Sequence, residues 1–281
     1  MGMMSKPRIG VLKWILIGLF LYGSLAFSQG DTGFLRGKGS LDLAVSYTDD
    51  SYDSFWIGSE RITDAPFGEV TRTTINLYAA YGISDNIDLV TSLSHVKSET
   101  DAVFDSESDL QDLTVYLKWK AHSRQWGNGR LNLLLAPGGK VPVSDYEDNA
   151  VPALGDGQAD IRLRGIAQYQ WNNGSFISLE SGYDLRFEDT PNEVPIHLTA
   201  GTTFANLLTV SAFLSDISSQ GGYDIGEGPF YGVKEEFTRY GIGLFIRVNN
   251  KVGVSAYGWS TTDGLNTGDV DGFSLGLVWR M

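Results

Sequence analysis

Charged side chains two residues apart dominate the centre of this chain. Asp160, Arg162 and Arg164 form one such run, and Glu180, Asp184 and Arg186 form another beyond the short segment Asn172–Gly174. In an extended strand residues i, i+2 and i+4 share a face, and a tight turn sets the like faces of two strands side by side. The two runs therefore predict a cross-strand cluster of both signs. Lys118, Arg239 and Arg247 stand in the same phase of their own alternating segments, as do Arg72, Asp88, Asp112, Lys120, Lys140 and Arg280. Charge on an inward face needs water or a partner. Two uses fit that requirement: a hydrated pathway whose lining selects solutes, or a salt-bridged plug that fills a narrow interior.

Other reactive groups are sparse. With no Cys there is no thiolate metal site, no disulfide framework and no lipoprotein anchor. The histidines are His95, His122 and His197. Nucleophilic catalysis needs an imidazole beside a hydroxyl, and the nearest approach on one strand face is Thr199, a poor substitute for serine, two residues from His197. His122 falls in a turn and His95 near a strand end, where a surface role is the economical reading, so no enzyme is expected. Asp101, Asp105, Glu107 and Asp109 make one acidic loop, and Asp145, Glu147 and Asp148 another. Such carboxylates suit calcium, but the spacing lacks the central Gly and closing Glu of an EF-hand loop. Diffuse cation bridging to lipopolysaccharide is the expectation, with no dedicated metal site and no cofactor. The run Leu154-Gly155-Asp156-Gly157 leads into a strand rather than a helix, which makes it no phosphate cradle.

The elements that position these groups all have a period of two. Leu41-Leu43-Val45-Tyr47, Ile75-Leu77-Ala79-Tyr81, Leu113-Val115-Leu117-Trp119, Ile161-Leu163-Gly165-Ala167 and Phe273-Leu275-Leu277-Trp279 exemplify about twelve segments with one apolar face. Each is near the ~10 residues a tilted membrane strand requires. The connections alternate. Short ones fall at Gly82–Asn86, Ala121–Gly129, Asn172–Gly174, Ala205–Asn206 and Asn249–Asn250. Long ones fall at Thr48–Glu69, Ser98–Leu110, Val143–Gly157, Glu188–Val194, Ser218–Lys234 and Ser260–Val270. That asymmetry predicts a transmembrane antiparallel β-barrel of about twelve strands, with short periplasmic turns, long external loops and both termini periplasmic. Tyr81, Trp119, Trp171, Phe204 and Trp279 then end the strands that run toward the periplasm, at headgroup level, while the strand ending at Val248 is the exception. The long loops hold 22 of the 34 acidic residues against only Arg61 and Lys234. Closure into a barrel is a physical necessity, because an open edge in hydrocarbon leaves unpaired N–H and C=O groups.

Composition sets the outer bounds. The 281 residues have a mean hydropathy of −0.11, which excludes a polytopic helical membrane protein. The apolar run Trp14–Leu25 behind Lys6, Arg8 and Lys13, followed by Ala26 and Ser28, reads as a secretory signal peptide over residues 1–28. Residues 29–281 are then the barrel. The formal net charge of −13 becomes −16 once Lys6, Arg8 and Lys13 leave, so nucleic acid is no partner.

Several short motifs carry a family resemblance. Tyr81-Gly82-Ile83-Ser84-Asp85-Asn86-Ile87-Asp88-Leu89, Leu133-Leu134-Leu135-Ala136-Pro137-Gly138-Gly139 and Gly155-Asp156-Gly157-Gln158-Ala159-Asp160-Ile161 resemble the tight turn, the Pro-Gly strand end and the Gly-Asp strand entry of the MetA-pathway of phenol degradation family. Gly138 stands where that family often has Thr. The final strand resembles the C-terminal signal read by the barrel assembly machinery, with Met281 where such signals usually close on Phe or Trp. The resemblance runs from about Leu41 to Met281 and implies an outer-membrane barrel that imports aromatic or other small apolar molecules. The expectation is a passive outer-membrane channel for small solutes, with outer-membrane lipid, lipopolysaccharide and the assembly machinery as partners. The rival is a structural or surface-interaction barrel with a plugged lumen and acidic cation-binding loops.

Overall fold

The computed structural model describes residues 31–63, 68–101, 106–146, 148, 153–187 and 190–281. The signal peptide expected over residues 1–28 lies outside them, as do Asp105 and Glu147 of the acidic loops. Twelve antiparallel strands close into a barrel: β1 Leu41–Tyr52, β4 Val70–Ser84, β5 Ile87–Thr100, β6 Glu107–Trp126, β7 Gly129–Pro142, β8 Asp160–Trp171, β9 Ser175–Arg186, β10 Asn192–Phe204, β11 Leu208–Gln220, β12 Glu236–Arg247, β13 Val252–Leu265 and β14 Asp271–Arg280. The connection after β1 carries a small hairpin of β2 Phe55–Ile57 and β3 Glu60–Ile62. The described residues contain no α-helix, only a 3-10 turn at Phe230–Gly232.

The period-two pattern explains the wall. Leu77, Ile161, Leu163, Leu275 and their equivalents point outward and remain exposed, whereas the intervening residues are buried in the interior. Tyr81, Phe204 and Trp279 are exposed near the short-turn rim, as the girdle pattern requires, whereas Trp119, also exposed, does not end its strand, since β6 runs on to Trp126. After β10, Ala205 and Asn206 both have positive φ (50° and 53°) and Leu207 donates back to the Phe204 carbonyl at 2.9 Å, a primed turn whose twist suits antiparallel strands. The seam closes between the first and last strands, with Asp42 in register with Arg280. Arg280 grips Asp42 at 2.6 Å, and Met281 exchanges backbone hydrogen bonds with Leu41 at 3.0 and 2.8 Å. Met281 therefore extends the ladder at the seam.

Two features depart from strict alternation. The expected turn Ala121–Gly129 is mostly strand, since β6 and β7 continue to Trp126 and Gly129, and only Gly127–Asn128 turns the chain. A register shift between Lys120 and His122 accompanies that extension. The second departure lies before β1. The first and last barrel strands both end at the short-turn rim, but residues 31–39 fold back into the barrel. Gly39 donates to the carbonyl of Gly82 at the rim, and Gly33 donates to Gln168 at 2.8 Å well inside. At Gly82 a Cβ would collide with the Gly37 carbonyl, and at Gly33 with the Gln168 side chain. Those two glycines let the segment lie flat against the wall.

Candidate functional site

Seven of the nine sequence-predicted lumen residues meet on one wall, built from β6, β8 and β9. Register sets Asp160 opposite Arg186 and Arg162 opposite Asp184. Arg162 bonds Asp160 at 2.9 Å and approaches Asp184 at 3.6 Å. Arg164 grips Asp184 with both terminal nitrogens, one at 2.8 Å, and stands 3.5 Å from Glu180. Arg186 bridges Asp156, Glu193 and Asp160, the last at 3.7 Å. Lys140, on β7, joins Asp112, Asp156 and Asp160 at 3.3, 2.6 and 3.3 Å. A bidentate fork and alternating signs satisfy nearly every charge in the cluster. Arg162 is the most open of the three arginines, its side chain 21% exposed.

The folded-back segment completes this wall. Asp31 receives Lys118 at 2.8 Å, and its backbone N–H donates to Glu180 at 2.7 Å. Phe34 meets Phe176 edge to face at 5.2 Å. Arg36 pairs with Asp42 at 3.3 Å and gives its N–H to Asp88 at 2.8 Å. The alternation read from the sequence begins at Leu41 and gives this segment, though within the expected 29–281 barrel, no role. The spacing of Gly33, Phe34, Arg36, Gly37 and Gly39 is its only signal, and it resembles neither strand nor helix.

Arg239 and Arg247 are not brought to the cluster. Both sit on the inward phase of β12, three strands round from β9 and near opposite ends of their strand. Arg239 lies over the Phe237 ring at 4.2 Å and donates to Thr261 at 3.2 Å.

The facing wall is apolar. Ala44, Tyr78, Ala80, Val90 and Val278 form a buried cluster, joined by Tyr116, Phe245 and Tyr257. Alternation predicts polar residues at these inward positions. The signal that could have found them is an apolar run with no break, such as Leu77-Tyr78-Ala79-Ala80-Tyr81. Between the two walls lies a cavity of about 260 Å³. Tyr78 and Val90 line it from the apolar cluster, while Tyr116, Ala136 and Ile166 line it from β6, β7 and β8, the last two in register with Arg164 and Glu180, among Arg162, Arg164, Glu180, His197 and Asp31.

His197 is not beside Thr199 in any productive sense. Its Nδ1 lies 2.7 Å from the Ser215 hydroxyl across the β10–β11 ladder. Ser215 is only 1% exposed, which leaves that oxygen closed to a substrate. His95 lies 3.4 Å from Ser108 on the outer face. In the long connection after β7, Tyr146 donates to Asp112 at 2.6 Å, and burial together with that bond pushes its phenol above the ordinary value. Among the described residues no group of three or more His, Asp or Glu side chains converges on a metal position.

The closed twelve-strand wall accords with a family whose profile matches residues 26–280. The chain belongs to the family described as "Putative MetA-pathway of phenol degradation". Of solved structures, this family member is similar to an outer membrane channel from Pseudomonas putida F1, with a TM-score of 0.75 at 13% identity over 90% of this chain and 100% of that one. It is also similar to the translocator domain of the autotransporter NalP from Neisseria meningitidis, with a TM-score of 0.51 at 13% identity over 88% and 90%. Both likenesses are of fold, and they place this family member among outer-membrane barrels. A search of curated proteins gives no match.

Proposed function

We propose that this barrel is a passive outer-membrane channel for small solutes that carry an aromatic or apolar body and a polar group. The observation that supports this is the cavity itself, whose aromatic and aliphatic residues border a balanced set of arginines and carboxylates. An apolar body gains by leaving water against the aromatic and aliphatic residues, while its polar group finds hydrogen-bonding partners among the charged ones. A neutral or zwitterionic head suits this lining better than a strong anion, because Glu180 and Asp31 offset Arg162 and Arg164. No catalytic step is invoked, since Ser215 is sealed.

The plugged-barrel reading draws on a different observation, the segment 31–39 inside the lumen. Proteoliposome swelling separates the two. The channel reading expects phenylalanine to enter faster than a pentose of similar mass through the full mature chain, with entry of both rising when residues 31–38 are deleted. Swelling that begins only after the deletion favours the plug. A pentose rate equal to that of phenylalanine in both forms removes the selective role of the apolar wall.

A further inference from the structure

The extended β6–β7 hairpin gives the outer wall a feature that the lumen does not use. Trp119 faces outward, and strict alternation from it would turn positions 122 and 124 inward. The bulge between Lys120 and His122 inserts one residue and reverses the phase. His122 then pairs with Leu133, and Arg124 with Leu131. Leu133 is exposed on the outer face. The intervening Ser123 points the other way and donates to the buried Asn132 at 2.7 Å. His122 and Arg124 therefore stand side by side on the lipid-facing wall, about 6.6 Å apart along the strand. Among the described residues neither side chain has a hydrogen-bond or ion-pair partner.

Their surroundings are built for an amphiphile. Leu131 is flanked by Arg124 on one strand and Tyr169 on the other, and Gly129 by Trp126 and Trp171. Trp126 and Tyr169 meet edge-on at 6.4 Å, Tyr169 and Trp171 at 4.8 Å, and the Tyr169 hydroxyl donates to the Trp126 carbonyl at 2.6 Å. Any Cβ at Gly129 would strike the Tyr169 ring, so the glycine is what seats it. Aromatic rings of this kind sit at headgroup depth. Toward the membrane interior the same face continues as Leu133, Leu135 and Ala167, a floor for an acyl chain. A guanidinium matches two phosphate oxygens at once, and a neighbouring imidazole adds a donor.

We infer that His122 and Arg124 bind the headgroup phosphate of an anionic glycerophospholipid in the leaflet next to the short turns. Lipopolysaccharide is the poorer match, because the short-turn rim lies at the opposite end of the barrel from the acidic long loops.

Native mass spectrometry of the detergent-solubilised full barrel tests this with three probes: dioleoyl phosphatidylglycerol, dioleoylglycerol and lipid A. The wild type should retain phosphatidylglycerol well above dioleoylglycerol. The double variant His122→Ala with Arg124→Ala should lower phosphatidylglycerol retention about tenfold and leave dioleoylglycerol unchanged. Arg124→Lys, which keeps the charge, should retain more than half. Arg130→Ala, a basic residue of the same hairpin on the inward phase, should behave as wild type. Equal phosphatidylglycerol retention by wild type and double variant overturns the site, as does a parallel loss of dioleoylglycerol. Lipid A retained in preference to phosphatidylglycerol overturns the leaflet. Heat-modifiable gel mobility verifies that each variant is folded, and because the site lies outside the lumen, solute swelling should be unchanged in all of them.

Discussion

Arg164 donates to both oxygens of Asp184 and lies 3.5 Å from Glu180, and all three are buried in the wall of the barrel. Removing one member of a buried, hydrogen-bonded set leaves charge without a partner, which costs about 3–5 kcal/mol, whereas removing the whole set costs far less. Arg164→Ala should therefore weaken the barrel strongly, and Arg164→Ala combined with Asp184→Asn should recover much of the loss, as read by urea unfolding in phospholipid vesicles. Equal losses for the single and double variants would show that the two side chains do not support each other. Arg162 differs because it is partly open and borders the cavity. Arg162→Ala should leave stability nearly intact and raise cation preference in planar bilayers, more so at low salt, where screening is weaker. Unchanged selectivity would place Arg162 off the conducting path.

At the scale of elements, β6 shows what alternation determines and what it leaves open. Val115 and Leu117 face lipid while Thr114 and Lys118 face the interior, so an arginine at position 115 must be held against hydrocarbon. Val115→Arg should cost ~2–4 kcal/mol near the bilayer midplane and reduce the folded, heat-modifiable band. Thr114→Arg should fold and instead narrow the cavity it borders. Similar folded fractions for the two variants would contradict the face assignment. The twelve strands, their outward faces and the charged cross-strand pairs of β8 and β9 were legible in the sequence, because each rests on a spacing of two. The apolar inner wall was not, since Tyr78 and Ala80 interrupt that spacing with inward residues whose burial depends on partners across the barrel. Nor was the phase of His122 and Arg124, because a bulge is fixed by the register of two strands together. The lumen segment, too, escaped the pattern. It is held by single contacts such as Asp31 with Lys118, nearly ninety residues apart, rather than by any local repeat.

The whole molecule is electrically lopsided along its axis, which bears on how it sits in the membrane. Long connections carry most of the acidic residues, and the short-turn rim gathers Lys38, Lys120, Arg124, Arg130 and Lys251. A fold with tight turns at one rim and long loops at the other is expected to face its loops outward. Acidic loops are then available for divalent-cation bridges to lipopolysaccharide, and the basic rim lies against phospholipid. Because the chain has no Cys, single cysteines report on sidedness without interference. Glu60→Cys, on the exposed β2–β3 hairpin, should react with a membrane-impermeant maleimide on intact cells. Asn173→Cys, in the turn between β8 and β9, should react only after the outer membrane is permeabilised. The reverse pattern would invert the barrel and move the His122–Arg124 site to the outer leaflet, where lipid A, not phosphatidylglycerol, would have to be its ligand.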